Sequence, residues 1–146
     1  MTALFEHSPW VEARADARPS SGDRHADLMA VLYAAAPEEQ LALIRAHPEL
    51  AGKAAVDGAL TDASAAEQAS AGLDRLSQAE FDRFQALNAA WRERFGFPFI
   101  ICVRLTDKAG ILAAMERRLG NDRDAEIAEA LAQIGEIVRL RLEATA

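Results

Sequence analysis

Residues 95–101 read Phe-Gly-Phe-Pro-Phe-Ile-Ile and constrain this chain more than any other stretch. They hold three of its six phenylalanines, yet Gly96 and Pro98 disfavour a helix there. Most of what flanks them has helical periodicity. Any helical body built by this sequence must therefore accommodate a short, stiff, apolar segment that is not a helix. Loops are normally polar and exposed. Such a segment is thus a buried connector, one strand of a hairpin, or the wall of a pocket whose backbone N–H and C=O groups face a small polar ligand.

The rest of the chain is punctuated as helix after helix. Ser8-Pro9 reads as an N-cap followed by proline at the first helical position, and Pro19 stops that helix near Arg18. A second helix is predicted over 25–35. Pro37 opens a third, with Leu41 and Ile44 on one face, and Pro48 ends it at His47. Ser64-x-x-Glu67 and Ser77-x-x-Glu80 both have capping-box spacing and predict new helix starts. After Ser77, Phe81, Phe84, Asn88, Trp91 and Phe95 share a stripe that Gly96 closes. Thr106 is placed to cap a helix running to Gly120, and a last helix is predicted over 123–143. The fold class is all-α: a single-domain helical bundle over 1–146 with the Phe-Gly-Phe-Pro-Phe-Ile-Ile segment inside it.

Composition narrows the partners. The 146 residues carry 16 Lys and Arg scattered among 23 acids, for a net charge of -7. No basic stripe offers itself to a phosphate backbone, so no nucleic-acid partner is expected. The longest apolar run, 97–103, is far too short to span a bilayer, so no membrane partner is expected either. The N-terminus lacks a basic and an apolar signal region, and the C-terminal Glu-Ala-Thr-Ala is no peroxisomal address, which makes the expected location cytoplasmic. Cys102 stands alone, which excludes an internal disulfide and a thiolate cluster. After two isoleucines it reads as a small buried hydrophobe.

The residues that could carry chemistry are few. The three histidines, His7, His25 and His47, form no HxxxH pair, so no metal site is expected. His47 fits two roles: a charged cap at a helix C-terminus, or a proton carrier. Glu67 is a capping-box carboxylate or a ligand contact, and Asn88 is a satisfied core amide or a ligand contact. In the last helix, Leu131, Ile134, Val138 and Arg141 share one face, while Arg139 points about 200° away from Arg141 at 3.6 residues per turn. A guanidinium directed at the core needs an anion, and a substrate carboxylate would serve.

In order along the chain come Glu-His-Ser-Pro-Trp-Val (6–11), Ile-Arg-Ala-His-Pro-Glu-Leu-Ala-Gly (44–52), Leu-Thr-Asp-Ala-Ser-Ala-Ala-Glu-Gln (60–68), Ala-Gly-Leu (71–73), Leu-Asn (87–88), the Phe-Gly-Phe-Pro-Phe-Ile-Ile segment and Leu-Arg-Leu (140–142). This ordered set resembles the 2-oxo-4-hydroxy-4-carboxy-5-ureidoimidazoline (OHCU) decarboxylases of the urate-to-allantoin pathway, and the resemblance spans nearly the whole chain. It implies that His47 is the catalytic acid/base with Pro48 beside it. It further implies that Ser64, Glu67, Gln68 and the loop Phe97, Pro98, Phe99, Ile100 and Ile101 contact substrate, and that Arg141 is the C-terminal substrate arginine. Glu67 would either fix the imidazole tautomer or hold the ureido N–H groups.

The implied substrate is a small molecule and the implied reaction needs no cofactor or metal, because loss of CO2 leaves an electron pair that the ring's own C=N accepts. The reading allows a homodimer. Three positions depart from the family's usual pattern: Trp91 where tyrosine is usual, Arg94 where lysine is common, and Ser20 where phenylalanine follows Arg-Pro. A leading helix found in relatives is expected to be short or missing. Two other readings compete: a non-catalytic helical binding module, and an enzyme of the same fold acting on a related ureido compound.

Overall fold

The computed structural model of the protein describes residues 4–5, 8–51 and 61–145. Glu6, His7, Gly52 and Leu60, which belong to the motifs above, lie outside the described residues. The described residues form seven α-helices and no strand: α1 (Trp10–Asp16), α2 (Arg24–Ala34), α3 (Pro37–Arg45), α4 (Asp62–Ser70), α5 (Gln78–Phe95), α6 (Lys108–Arg118) and α7 (Arg123–Thr145). A single 3-10 turn, Val103–Leu105, precedes α6. The all-α expectation holds.

Most helix starts follow the expected punctuation. Pro37 occupies the first position of α3. At α5 the Ser77 hydroxyl accepts from the Glu80 N–H at 3.1 Å, and the Glu80 carboxylate accepts from the Ser77 N–H at 2.8 Å, a complete capping box. Gly96 ends α5 with φ of 76°, a left-handed cap that a residue with a Cβ adopts only under strain.

Three starts differ from expectation. At α1 the N-cap is Pro9 rather than Ser8, and no side chain caps that helix. The Thr61 hydroxyl, not that of Ser64, caps α4, accepting from the Ser64 N–H at 3.2 Å. Thr61 is itself a good cap and Asp62 favours the positive end of the helix dipole, so the helix begins one turn early. Ser64 and Glu67 therefore do not form a capping box, and the Glu67 carboxylate is left to reach elsewhere. Similarly, Asp107 rather than Thr106 caps α6, accepting from the Gly110 N–H at 2.9 Å. Asp is the stronger N-cap of the two.

The buried hydrophobic residues form one cluster. Trp91, Phe84, Phe97 and Phe99 are fully buried with Leu28, Leu32, Leu43, Ile44, Ile111, Met115 and Ile134. Phe81, the first member of the expected α5 stripe, is only half-buried, whereas Phe84, Asn88, Trp91 and Phe95 are buried. The Trp91 ring lies 4.5 Å from Phe95 and 5.0 Å from Phe99. Its indole N–H donates to the Met115 carbonyl at 3.2 Å, which removes the penalty of burying that donor.

The segment 97–102 is largely buried and is tied by hydrogen bonds to α6 and α7. The Ile100 carbonyl accepts from Arg118 at 3.0 Å, and the Cys102 N–H donates to the Gln133 side-chain oxygen at 2.9 Å. A non-helical backbone buried in a bundle must find partners outside itself, and these two side chains supply them. Among the described residues, no helix is long and apolar enough to cross a membrane.

Candidate active site

A cavity opens beside the extended segment. Its lining comes from four places: His47 and Pro48 after α3; Ser64, Glu67 and Gln68 on α4; residues 99–104; and Ile137 and Arg141 on α7. Ser64, Glu67 and Gln68 stand at i, i+3 and i+4, so one helix face presents all three. The fold thus gathers around one space nine residues that the sequence singled out: His47, Pro48, Ser64, Glu67, Gln68, Phe99, Ile100, Ile101 and Arg141. Phe97 and Pro98 lie outside this lining. Phe97 is turned instead toward the aromatic core, 5.6 Å from Phe95 and stacked on it.

His47 follows the C-cap of α3, Ala46, with its ring anchored. Nδ1 lies 3.0 Å from the Leu43 carbonyl oxygen. A carbonyl only accepts, so Nδ1 carries the hydrogen, and in the neutral ring the basic lone pair belongs to Nε2. The tautomer is thus set by the backbone of α3 itself. This contact also satisfies one of the four carbonyls that a helix C-terminus leaves without partners, so the capping role and the cavity position coexist.

Glu67 and Arg141 form a two-pronged ion pair across 74 positions of sequence: Nε to Oε2 at 2.8 Å and Nη2 to Oε1 at 2.7 Å. The remaining Arg141 nitrogen, Nη1, donates to the Leu4 carbonyl at 3.2 Å. The side chains are only 13% and 6% exposed, so the pair is shielded from water, and the fork fixes both groups in orientation as well as position. Arg139 takes the opposite side, as the helix phase requires. It pairs with Glu136 at 2.7 Å and Glu143 at 3.1 Å and is 39% exposed.

The turn after His47 is held by three amides. The Gln68 oxygen accepts from the Ala51 N–H at 3.2 Å, Gln85 donates to the Ala51 carbonyl at 2.7 Å, and Asn88 donates to the Leu50 carbonyl at 2.9 Å. Ala51 has φ of 52° and is the one non-glycine with positive φ among the described residues. That backbone is strained and persists only where its surroundings over-determine it. Asn88 is thus a buried, satisfied amide of this turn. Cys102 is buried at the cavity wall, and burial pushes its thiol above the ordinary range, reinforced by the nearby Glu67 and Glu136 charges. It stays a neutral thiol rather than a nucleophile. Among the described residues, no group of three or more His, Cys, Asp or Glu side chains is placed to hold a metal ion.

Sequence reasoning missed a second buried ion pair directly behind the wall. Arg118, 6% exposed, forks onto Glu126, which is 0% exposed, at 2.8 Å and 3.1 Å. It also lies 4.6 Å from the Phe99 ring centroid. The available signal was the one used for Arg141: Ile111, Ala114, Met115 and Arg118 are buried on one face of α6.

The family model for OHCU decarboxylase matches residues 1–143. A 2-oxo-4-hydroxy-4-carboxy-5-ureidoimidazoline decarboxylase of Haloferax volcanii is 44% identical over 142 residues, covering 95% of this chain and 82% of that protein. The enzyme of the same name from Mus musculus is 38% identical, covering 95% and 80%. Among solved structures, an (S)-allantoin synthase superposes with a TM-score of 0.70 at 29% identity, covering 97% of this chain and 46% of that one. An OHCU decarboxylase structure shares the fold with a TM-score of 0.72 at 19% identity, covering 94% and 91%.

Proposed function

The chain belongs to the OHCU decarboxylase family, a family of carboxy-lyases, and we propose that it converts OHCU to (S)-allantoin and CO2 in urate degradation. The observation that carries this reading is the convergence of His47, Glu67 and Arg141 on one cavity beside the apolar wall of Phe99, Ile100 and Ile101. The substrate carries a carboxylate and a hydroxyl on one ring carbon, next to a carbon doubly bonded to nitrogen. When the C–CO2 bond breaks, its electron pair moves toward that C=N carbon and the nitrogen takes a proton. The resulting enol becomes the ketone when a proton adds to the ureido-bearing carbon and the hydroxyl proton leaves. With the carboxylate ionised, one proton is taken up overall.

His47 is the group placed to move that proton, through Nε2, with its other nitrogen fixed by Leu43. Since the imidazole tautomer is set by the backbone, Glu67 is assigned the other role considered for it, accepting from the ureido N–H groups. Its two oxygens each have a further lone pair beyond the one taken by Arg141. Arg141 then acts by orienting Glu67 as well as by its charge. Ser64 and Gln68 extend the polar edge, and Phe99 to Ile101 supply the water-poor face that protects the departing electron pair. The same reading allows a homodimer, which sedimentation equilibrium would register.

The test is freshly generated OHCU with product handedness followed by circular dichroism. Uncatalysed decay gives racemic allantoin, so optically active product formed above the background rate is the expected result. Racemic product at the background rate would overturn the assignment.

The two C-terminal arginines give a second test. Arg141→Gln should lower turnover by on the order of 10²-fold, the cost of misplacing a catalytic group by about an ångström. Arg141→Lys should rescue only part, because an ammonium cannot form the fork. Arg139→Gln should leave turnover nearly unchanged, since it removes only solvated pairs worth a few tenths of a kcal/mol. Equal, mild losses at 139 and 141 would remove Arg141 from the site.

A further inference from the structure

Charge pairing around the cavity leaves one cation over. Arg141 is matched by Glu67, Arg118 behind the wall by Glu126, and Arg139 by Glu136 and Glu143. Arg104 lines the cavity from the 3-10 turn Val103–Leu105 and is exposed. Its guanidinium has no ion pair or hydrogen bond among the described residues. The acids that act on the neighbouring Cys102, Glu67 and Glu136, are the two already held by Arg141 and Arg139. In a chain of net charge -7, an anion approaching this mouth meets long-range repulsion and, at the rim, one uncompensated positive charge.

We infer that Arg104 is a specificity-determining residue that captures the substrate through its carboxylate. This rests on the OHCU reading above. The Arg141 fork is already filled by Glu67, and Arg104 can take the substrate carboxylate without breaking that pair. It also gives the reaction a direction. OHCU enters as a carboxylate anion, but its product has lost that group as CO2 and is neutral, so the contact that draws substrate in vanishes with the chemistry. Rim charges act chiefly on association and on its salt dependence.

The experiment measures Arg104→Gln beside the wild-type protein on OHCU, at low and high ionic strength, together with product inhibition by allantoin. The variant should lose about tenfold in kcat/KM, mostly through KM, the scale of one charge-assisted hydrogen bond. The wild-type kcat/KM should fall with added salt and the variant's should fall less. Inhibition by neutral allantoin should be the same in both proteins. Arg104→Lys, which keeps the charge, should recover most of the loss. Unchanged kcat/KM and salt response in Arg104→Gln would overturn the inference. So would an equal weakening of substrate and allantoin, which would make Arg104 a general contact rather than a reader of the carboxylate. A wild-type protein with no activity on OHCU would instead overturn the functional assignment itself, and this inference with it.

Discussion

Alanine at position 47 should lower the turnover of OHCU by about 10²–10⁴-fold, the range supplied by a positioned general acid–base. The same change removes the Nδ1–H bond to the Leu43 carbonyl, so it should also lower stability, by about 1 kcal/mol for one hydrogen bond. These two losses come from opposite edges of one ring and can be separated. In His47→Asn the side-chain amide N–H stands near the position of Nδ1 and still donates to Leu43, but no basic nitrogen faces the cavity. The asparagine variant should therefore melt close to the wild-type protein and be as inactive as the alanine variant. An asparagine variant that turns over normally would mean that His47 only caps α3. The cavity would then belong to a binding module.

His47 was visible in the sequence because proline leaves a local mark: Pro48 bars helix at the residue before it and so sets the histidine just past the end of α3. Arg141 was visible through helix phase, which needs only neighbours at i−3, i−7 and i−10. The Glu67–Arg141 fork was not visible, since its partners are 74 positions apart and nothing near either residue names the other. Glu67 was moreover claimed by a capping-box pattern that Thr61 pre-empts. A motif of two residues cannot reveal that a better cap lies three positions upstream.

The extended segment was recognised as non-helical from Gly96 and Pro98. Which of its residues face the cavity depends on where Arg118 and Gln133 take its backbone. Arg118 and Glu126 were overlooked because each has an innocuous local reading. A basic residue in the last turn of α6 and an acid in the first turn of α7 are what the helix dipoles favour on any surface. Only the packing of those two ends against Phe99 and Ile100 buries them.

That burial sets the largest stability effect expected in this protein. Arg118→Met should destabilise it by about 3–5 kcal/mol, because it leaves the Glu126 carboxylate, 0% exposed, without its cation. It also removes the donor to the Ile100 carbonyl. Asn121, which donates to Glu126 at 2.8 Å, supplies a neutral hydrogen bond but no charge. For a chain of this length the loss corresponds to a fall in melting temperature on the order of 10 °C. The double variant Arg118→Met with Glu126→Leu should recover most of it, since an apolar pair of similar volume avoids the cost of desolvating two ions. Recovery of stability without recovery of turnover would show that the pair also serves the wall, whose Ile100 carbonyl the methionine cannot hold. A single Arg118→Met variant within about 1 kcal/mol of the wild-type protein would contradict the burial of this ion pair and the anchoring of the wall on it.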